Sequence, residues 1–268
     1  MKIDFDTHIH TNVSKCCQDS ERTPLKAAEI LSRKGFRLIA VTDHLWDNPA
    51  VAPNNWLRRH PRAELEEAVG VLRKTVFPIK VLASCEADMQ GPGRIGITPE
   101  FKEKLDFVSV ASDHFQLRDF TDQPSPATPE NMASLMMAMF RDAVRSGLAD
   151  VLLHPLFTES YHEIYDRTVS CVGDSELFDA LSEAAERRVA LEINCGVLNV
   201  QRKGAFSMET LYRIFETAKR AGCLFTVGSD SHCDEHFELY HLAEAFTEKL
   251  GITEKDIHPL FRSGGGEK

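Results

Sequence analysis

Short apolar runs of strand length recur along the chain, with stretches of helical spacing between them. Seven such runs cover residues 3–8, 37–43, 79–86, 106–111, 150–154, 189–194 and 224–229. Strand-length runs that alternate with helices describe parallel β/α units. Several intervening helices carry their own boundary signals. Thr23 then Pro24 opens one that Gly35 closes, and Thr128 then Pro129 opens another that ends near Gly147. Ser207 caps a third, in which Leu211, Ile214, Phe215 and Ala218 fall at i, i+3, i+4 and i+7 before Gly222. Hydroxyl side chains accept from the free N–H groups of a first turn, proline fits the first helical position, and glycine fits the exit. Further helices are expected over residues 62–74, 99–104, 176–188 and 237–249. Seven strands then alternate with seven helices, and a chain of 268 residues can bury them around one core. Two segments break the rhythm, the Gly91–Pro92–Gly93 turn and a loop carrying Pro124, Pro126 and Pro129. Both follow strand ends and could border an active site.

Candidate chemistry sits at the ends of the strands. In chain order these positions hold His8 and His10; Asp43 and His44; Glu86 and Asp88; Asp113 and His114; His154; Glu192, Asn194 and Cys195; and Asp230 and His232. In a parallel β/α barrel the carboxyl ends of the strands converge on one face, which brings residues distant in sequence within coordination reach. Six of the eleven histidines share this position, a coincidence that independent surface or core histidines would not produce. Imidazoles and carboxylates suit zinc, manganese and iron, and a carboxylate such as Glu86 can bridge two ions. His8 and His10, two apart on an extended segment, point to the same side, and Asp230 and His232 repeat the spacing. His60, His162, His236, His241 and His258 lack the strand-end position, and ordinary hydrogen-bonded roles are expected for them.

Composition narrows the partners. With 43% apolar and 27% charged residues the chain has the make-up of a folded enzyme. Lys and Arg total 31 against 41 Asp and Glu, a formal charge of −10, and such a field disfavours nucleic-acid backbones. Basic residues cluster no further than pairs such as Arg58 and Arg59. No stretch approaches the roughly 20 apolar residues that span a bilayer, and the opening segment reads as a strand rather than a basic leader. The seven cysteines show no CxxC spacing, which argues against a disulfide framework or a zinc knuckle. A cytoplasmic protein is expected, without nucleic-acid or membrane partners; the oligomeric state is left open.

At the strand ends the sequence resembles the polymerase and histidinol phosphatase (PHP) family. The matching elements are His-Ile-His at 8–10, Thr-Asp-His at 42–44, Glu86, Ser-Asp-His at 112–114, His-Pro at 154–155, Leu-Glu-Ile-Asn at 191–194 and Gly-Ser-Asp-Ser-His at 228–232. The resemblance implies a distorted (β/α)7 TIM-like barrel, a single PHP-type domain over residues 1–262, and two or three divalent ions (Zn, Fe or Mn), while the three consecutive glycines within residues 263–268 lead to the expectation of a flexible tail there. Position by position, it implies that His8, His10, Glu86 and Asp230 hold one ion, that Glu86 bridges to a second held by His114 and His154, and that a third rests on His44 and His232. Where the family places a His or Asp six or seven residues after its His-x-His, this chain has Cys16 and Cys17, so Cys16 is the candidate third ligand to that ion, with Cys17 or Asp19 as substitutes. The segment from Cys195 to Lys203 resembles the family's loop that supplies a cation to phosphate, which makes Arg202, with Lys203 beside it, the substrate-binding candidate ahead of Arg94, Arg58 and Arg167.

The activity implied is hydrolysis of a small phosphorylated substrate by a hydroxide held between two metals, with Glu86, Asp230 and His232 as the catalytic residues. A phosphomonoesterase such as a histidinol-phosphate phosphatase is the first expectation. A phosphodiesterase or nucleotide phosphatase of the same family, a metal amidohydrolase and a non-catalytic metal-binding accessory module are the alternatives. An amidohydrolase often bridges its metals with a modified lysine, and this chain has no lysine at the corresponding strand ends.

Overall fold

The computed structural model describes residues 1–263, so the tail expected over 263–268 lies, from residue 264 on, outside the described residues. Ten strands are present among them. They are β1 (Phe5–Ile9), β2 (Leu38–Val41), β3 (His44–Leu45), β4 (Lys80–Ala83), β5 (Glu86–Gly91), β6 (Arg94–Ile95), β7 (Ser109–Ala111), β8 (Val151–Leu153), β9 (Ala190–Asn194) and β10 (Phe225–Gly228). The helices are α1 (Pro24–Arg33), α2 (Arg62–Leu72), α3 (Pro99–Lys102), α4 (Pro129–Arg145), α5 (His162–Cys171), α6 (Asp174–Glu186), α7 (Cys195–Arg202), α8 (Met208–Ala221) and α9 (Tyr240–Leu250).

Apart from β6, which pairs antiparallel with β5, the strands resolve into seven positions, as the sequence predicts. β1, β2 and β4 pair in parallel, and β3, β5, β7, β8, β9 and β10 follow in parallel order. The two sheets are joined because β2 continues into β3 and β4 into β5. Across those breaks the bonding persists, Ser84 N–H donating to Val41 O at 2.9 Å and Glu86 N–H to Asp43 O at 3.0 Å. At the remaining seam, β10 against β1, no strand ladder runs. Asp230 N–H donates to His8 O at 2.9 Å and His10 N–H to Ser231 O at 3.1 Å, while the Thr7 and Thr226 hydroxyls bond at 2.8 Å. This uneven seam is the distortion of an otherwise parallel β/α ring.

Buried Asp6 fastens the same seam: it accepts from His8 N–H at 2.9 Å, Ser229 N–H at 3.0 Å, Ser229 Oγ at 2.5 Å and Tyr240 Oη at 2.6 Å. Arg22, also buried, ties the loop beyond β1 to the loop beyond β10. Its Nε donates to His10 O at 3.0 Å, its Nη2 to Ser231 Oγ at 2.7 Å and its Nη1 to Asp234 at 2.6 Å. Helices cover the outside, and the stripe foreseen on α8 (Leu211, Ile214, Phe215, Ala218) is buried against the sheet. The caps form as the sequence predicts, with Thr23, Thr128 and Ser207 accepting first-turn N–H groups.

Some expectations need correction. Residues 79–86 are not one strand, because the ladder pauses at Ser84 and Cys85, so Glu86 begins β5 rather than ending its predecessor. The segment from Cys195 to Lys203 is not a loop: α7 starts directly at the end of β9, with the Asn194 side chain accepting Val197 N–H at 2.8 Å. Helix α5 was not foreseen, and its first turn has no side-chain cap to announce it. No helix of the described residues is long and apolar enough to cross a membrane.

Gly228, the last residue of β10, faces Glu192 and His8 so closely that a Cβ would lie 1.9 Å from Glu192 Oε1 and 2.5 Å from the His8 Cβ. Neither neighbour can withdraw without breaking the His8–Glu192 contact. Gly228→Ala should therefore destabilise the fold by about 1–3 kcal/mol, the usual range for overpacking, measured by urea unfolding. A loss under about 0.5 kcal/mol, within surface-substitution scatter, would contradict this close approach.

Candidate metal centre

The seven strand positions bring the strand-end side chains to one face, around Glu86. Its carboxylate is buried, 1% exposed, and five imidazoles surround it. His8 Nε2 lies 3.5 Å away, His10 Nε2 3.2 Å, His44 Nδ1 3.3 Å, His114 Nε2 3.3 Å and His154 Nε2 3.3 Å. Asp230 completes the ring, its Oδ1 3.5 Å from His8 Nε2 and 3.3 Å from His10 Nε2. Among the described residues, four groups whose donor atoms lie within 4.8 Å of one another emerge: His8, His10 and Asp230; Glu86, His114 and His154; His8, His154 and Glu192; and His10, Cys16, His44 and His232. His10 is common to two of them.

The far nitrogens of the imidazoles are fixed from behind. His8 Nδ1 meets Glu192 Oε1 at 2.8 Å, His114 Nδ1 meets Asp88 Oδ1 at 2.5 Å, and His154 Nδ1 meets Asp113 Oδ1 at 2.6 Å. A carboxylate behind an imidazole sets its tautomer and ring orientation and leaves the other nitrogen free to coordinate. His232 Nδ1 is tied to Asp230 O at 2.9 Å to the same effect. Asp88, Asp113 and Glu192 were legible as strand-end carboxylates, but their place behind the histidines was not, because sequence spacing does not say which carboxylate faces which ring.

The backbone is also specialised here. His154 has φ 31° and Asp230 φ 54°, left-handed conformations that cost of order 1–3 kcal/mol for residues other than glycine and concentrate at functional sites. Burial opposes charge on His8, yet Glu192, Asp230 and Glu86 push its pKa up to about 10. Burial likewise opposes charge on His44, while Glu86 and Asp88 raise it to about 9. Asp230, despite burial, is held well below the usual carboxylate range by His8 and His10. The field of this cluster draws positive charge onto its nitrogens.

The donor set fits divalent metal ions. Imidazole and carboxylate atoms converge in groups of three and four, and buried His44 Nδ1, Asp88 Oδ2 and Asp113 Oδ2 lack hydrogen-bond partners. Apart from the fully buried His8 and Glu192, the members of these groups form the floor of a cavity of about 470 Å³. Its walls carry Trp56, Leu117, Phe157, Val197, Val200 and Leu239, with Gln116, Glu159, Asn194 and Asn199 among them. No lysine or arginine is among its lining residues.

The remaining candidates are placed as follows. Cys16 lines the cavity and joins His10, His44 and His232, whereas Cys17 turns its sulfur to His232 O at 3.4 Å and Asp19 pairs with Lys26 at 3.0 Å. Arg202 is exposed in the last turn of α7, its Nη2 donating to the cavity-lining Asn199 at 2.8 Å. Lys203, Arg58 and Arg167 are exposed and do not line the cavity, and Arg94 is engaged by Asp122 at 2.5 Å. Two histidines given ordinary roles lie close by. His236 lines the cavity and accepts His232 N–H at 3.2 Å, and His60 accepts Lys15 N–H at 3.0 Å.

No protein-family model matches the chain. A probable phosphatase of Shewanella halifaxensis is 31% identical over 253 residues, 93% of this chain and 85% of the relative. A probable phosphatase of Aliivibrio fischeri is 29% identical over 260 residues, 96% of this chain and 89% of the relative. The histidinol phosphate phosphatase of Lactococcus lactis, solved with zinc, L-histidinol and phosphate, shares the fold at a TM-score of 0.56 and 19% identity, over 93% of this chain and 94% of that one.

Two outcomes follow from the geometry. Elemental analysis of protein prepared without chelator should find more than one divalent ion per chain; one or none after reconstitution would remove a multinuclear centre. Asp113→Asn, which leaves His154 without its carboxylate, should weaken metal affinity by roughly 10- to 100-fold, the usual cost of losing such a partner. Unchanged affinity in a competition titration would show that Asp113 does not position His154.

Proposed function

The chain belongs to the family of these bacterial phosphatases, and from that premise we propose that it is of the PHP type and a phosphomonoesterase for small molecules, with histidinol phosphate the leading substrate. Metal-dependent phosphoester hydrolysis is the activity of this site. The observation that carries the reading is the convergence of His10, His44, His114, His154 and His232 with Glu86 and Asp230 on the floor of one cavity, with His8 buried against them. Its volume of about 470 Å³ is that of a small-molecule site. The Lactococcus lactis neighbour was solved with L-histidinol, phosphate and zinc, which supports the choice of substrate and of ion.

Bound divalent ions supply charge to phosphoryl oxygens and bring the pKa of a water towards neutrality. In this chain His8, His10, Glu86 and Asp230 would hold one ion, and Glu86, His114 and His154 a second. The two carboxylates provide the negative charge that retains the ions, while Glu192, Asp88 and Asp113 keep His8, His114 and His154 turned to the task. His232, its Nδ1 tied to Asp230 O, presents Nε2 towards the cavity. Because no lysine or arginine lines the cavity, bound ions would be the main positive charge for the phosphate, and Arg202, bonded to the cavity-lining Asn199 at 2.8 Å, is the guanidinium proposed to reach a phosphate oxygen. The alcohol part of the substrate would lie against Trp56, Leu117 and Phe157, with Gln116 and Asn199 as hydrogen-bonding partners.

A panel of histidinol phosphate, an aryl monoester, an aryl diester and a nucleoside bisphosphate, assayed with metal-replete protein, tests this reading. Turnover of histidinol phosphate should exceed that of the diester by at least tenfold and vanish after chelation; equal or faster diester hydrolysis would overturn the monoesterase reading. Arg202→Ala should raise KM for the monoester several-fold with metal content unchanged. Wild-type kinetics would leave Arg202 as a solvated cation.

A further inference from the structure

We propose that Cys16 completes a nitrogen–sulfur site with His10, His44 and His232 that selects zinc over manganese or magnesium, making this corner of the centre chemically distinct from its carboxylate-bearing corners. The inference rests on the metal centre argued above. It adds a ligand and a metal preference specific to this chain.

The geometry supports one ion. The sulfur and three imidazole nitrogens lie within 4.8 Å of one another, and donors about 2.0–2.3 Å from a tetrahedral ion stand roughly 3.3–3.8 Å apart, so the set closes with shifts of about 1 Å. If His10 is engaged by the His8 and Asp230 group instead, Cys16, His44 and His232 still form a three-donor site with an open position, the arrangement of catalytic zinc. The other shared groups each contain a carboxylate, whereas this one has none. Its only anionic donor is the thiolate. Without Cys16 a divalent ion here would face neutral imidazoles alone, and with it the set combines soft sulfur and imidazole, which suits zinc and not the harder ions.

The loop that carries Cys16 is fixed on both sides of it. Asp43 accepts Thr11 N–H at 2.7 Å, the Thr11 hydroxyl at 2.6 Å and Ser14 N–H at 3.2 Å. The Ser14 hydroxyl accepts His44 N–H at 2.9 Å, so the loop is registered against a ligand of the same site. On one flank Lys15 N–H donates to His60 Nε2 at 3.0 Å, and on the other Cys17 N–H donates to Ser14 O at 3.0 Å while its sulfur is turned to His232 O. These anchors leave Cys16 as the cysteine that faces the cavity. His60 acts as a positioning residue, through the loop and not through the ion.

The test uses the full chain, stripped of metal and reloaded with cobalt(II) or zinc, with ion content read by elemental analysis. Cobalt-loaded wild type should show a thiolate-to-metal charge-transfer band in the near ultraviolet that Cys16→Ser abolishes and Cys17→Ser retains. At matched free metal, Cys16→Ser should bind one ion fewer, its affinity falling by at least the roughly 10- to 100-fold that loss of an outer partner costs. Cys16→Asp should restore the ion count without the band and shift preference from zinc towards manganese. X-ray absorption of zinc-loaded wild type, which needs no variant, should find sulfur at about 2.3 Å. If two or more ions load and no sulfur is found, Cys16 is not a ligand and the rest of the centre stands. If no ion loads at all, the centre and this inference fall together.

Discussion

Burying Glu86 among five imidazoles is the constraint on which the rest of this structure depends. A carboxylate removed from water loses solvation worth several kcal/mol, and among the described residues the hydrogen-bond partner of the Glu86 carboxylate is an imidazole, His154, and not a backbone N–H. What surrounds it instead is a ring of nitrogens at 3.2–3.5 Å, and the imidazoles hold its carboxyl well below the usual range against the opposing effect of burial. That ring exists only because strands from the whole length of the chain end on one face. The seam between β1 and β10, clamped by Asp6 and Arg22, keeps His8 and His10 beside Asp230. Stability and function meet at these residues, since the contacts that close the sheet also set the distances within the site.

A second layer of carboxylates makes the arrangement directional. Asp88, Asp113 and Glu192 each occupy the outer nitrogen of one imidazole, so the inner nitrogens face one another and Glu86. The result is an excess of negative charge behind the rings and a demand for positive charge in front of them. Protons can meet that demand, and divalent ions meet it with more charge per site. The lining has no lysine or arginine and the chain has a formal charge of −10, so bound divalent ions would be the source of positive charge for an incoming phosphate on this cavity floor.

Much of this was legible in the sequence, for a physical reason. In a parallel β/α arrangement one geometric rule, that strand ends converge, turns six scattered histidines into a single prediction, and His8, His10, His44, His114, His154 and His232 are gathered as that rule requires. The helices with hydroxyl caps and glycine exits were equally readable. What escaped was structure without a local signal. Helix α7 begins at the residue after β9, with Asn194 serving both as strand end and cap, so no loop composition marks the change. Helix α5 starts without a capping side chain. The break that makes Glu86 the first residue of β5, the left-handed backbone at His154 and Asp230, and the carboxylates behind His8, His114 and His154 are products of tertiary contact, which spacing along the chain does not encode.

The central claim is that the converging imidazoles are a metal centre organised on Glu86, and anomalous diffraction from crystals of the zinc-loaded protein tests it most directly. The account predicts at least two anomalous peaks on the cavity floor, one of them in contact with Glu86 and bounded by His114 and His154, with Asp88 and Asp113 still bonded to the outer nitrogens. Crystals in which the floor carries no peak, or in which zinc binds elsewhere while the imidazoles stay paired directly to Glu86 and Asp230, would contradict it.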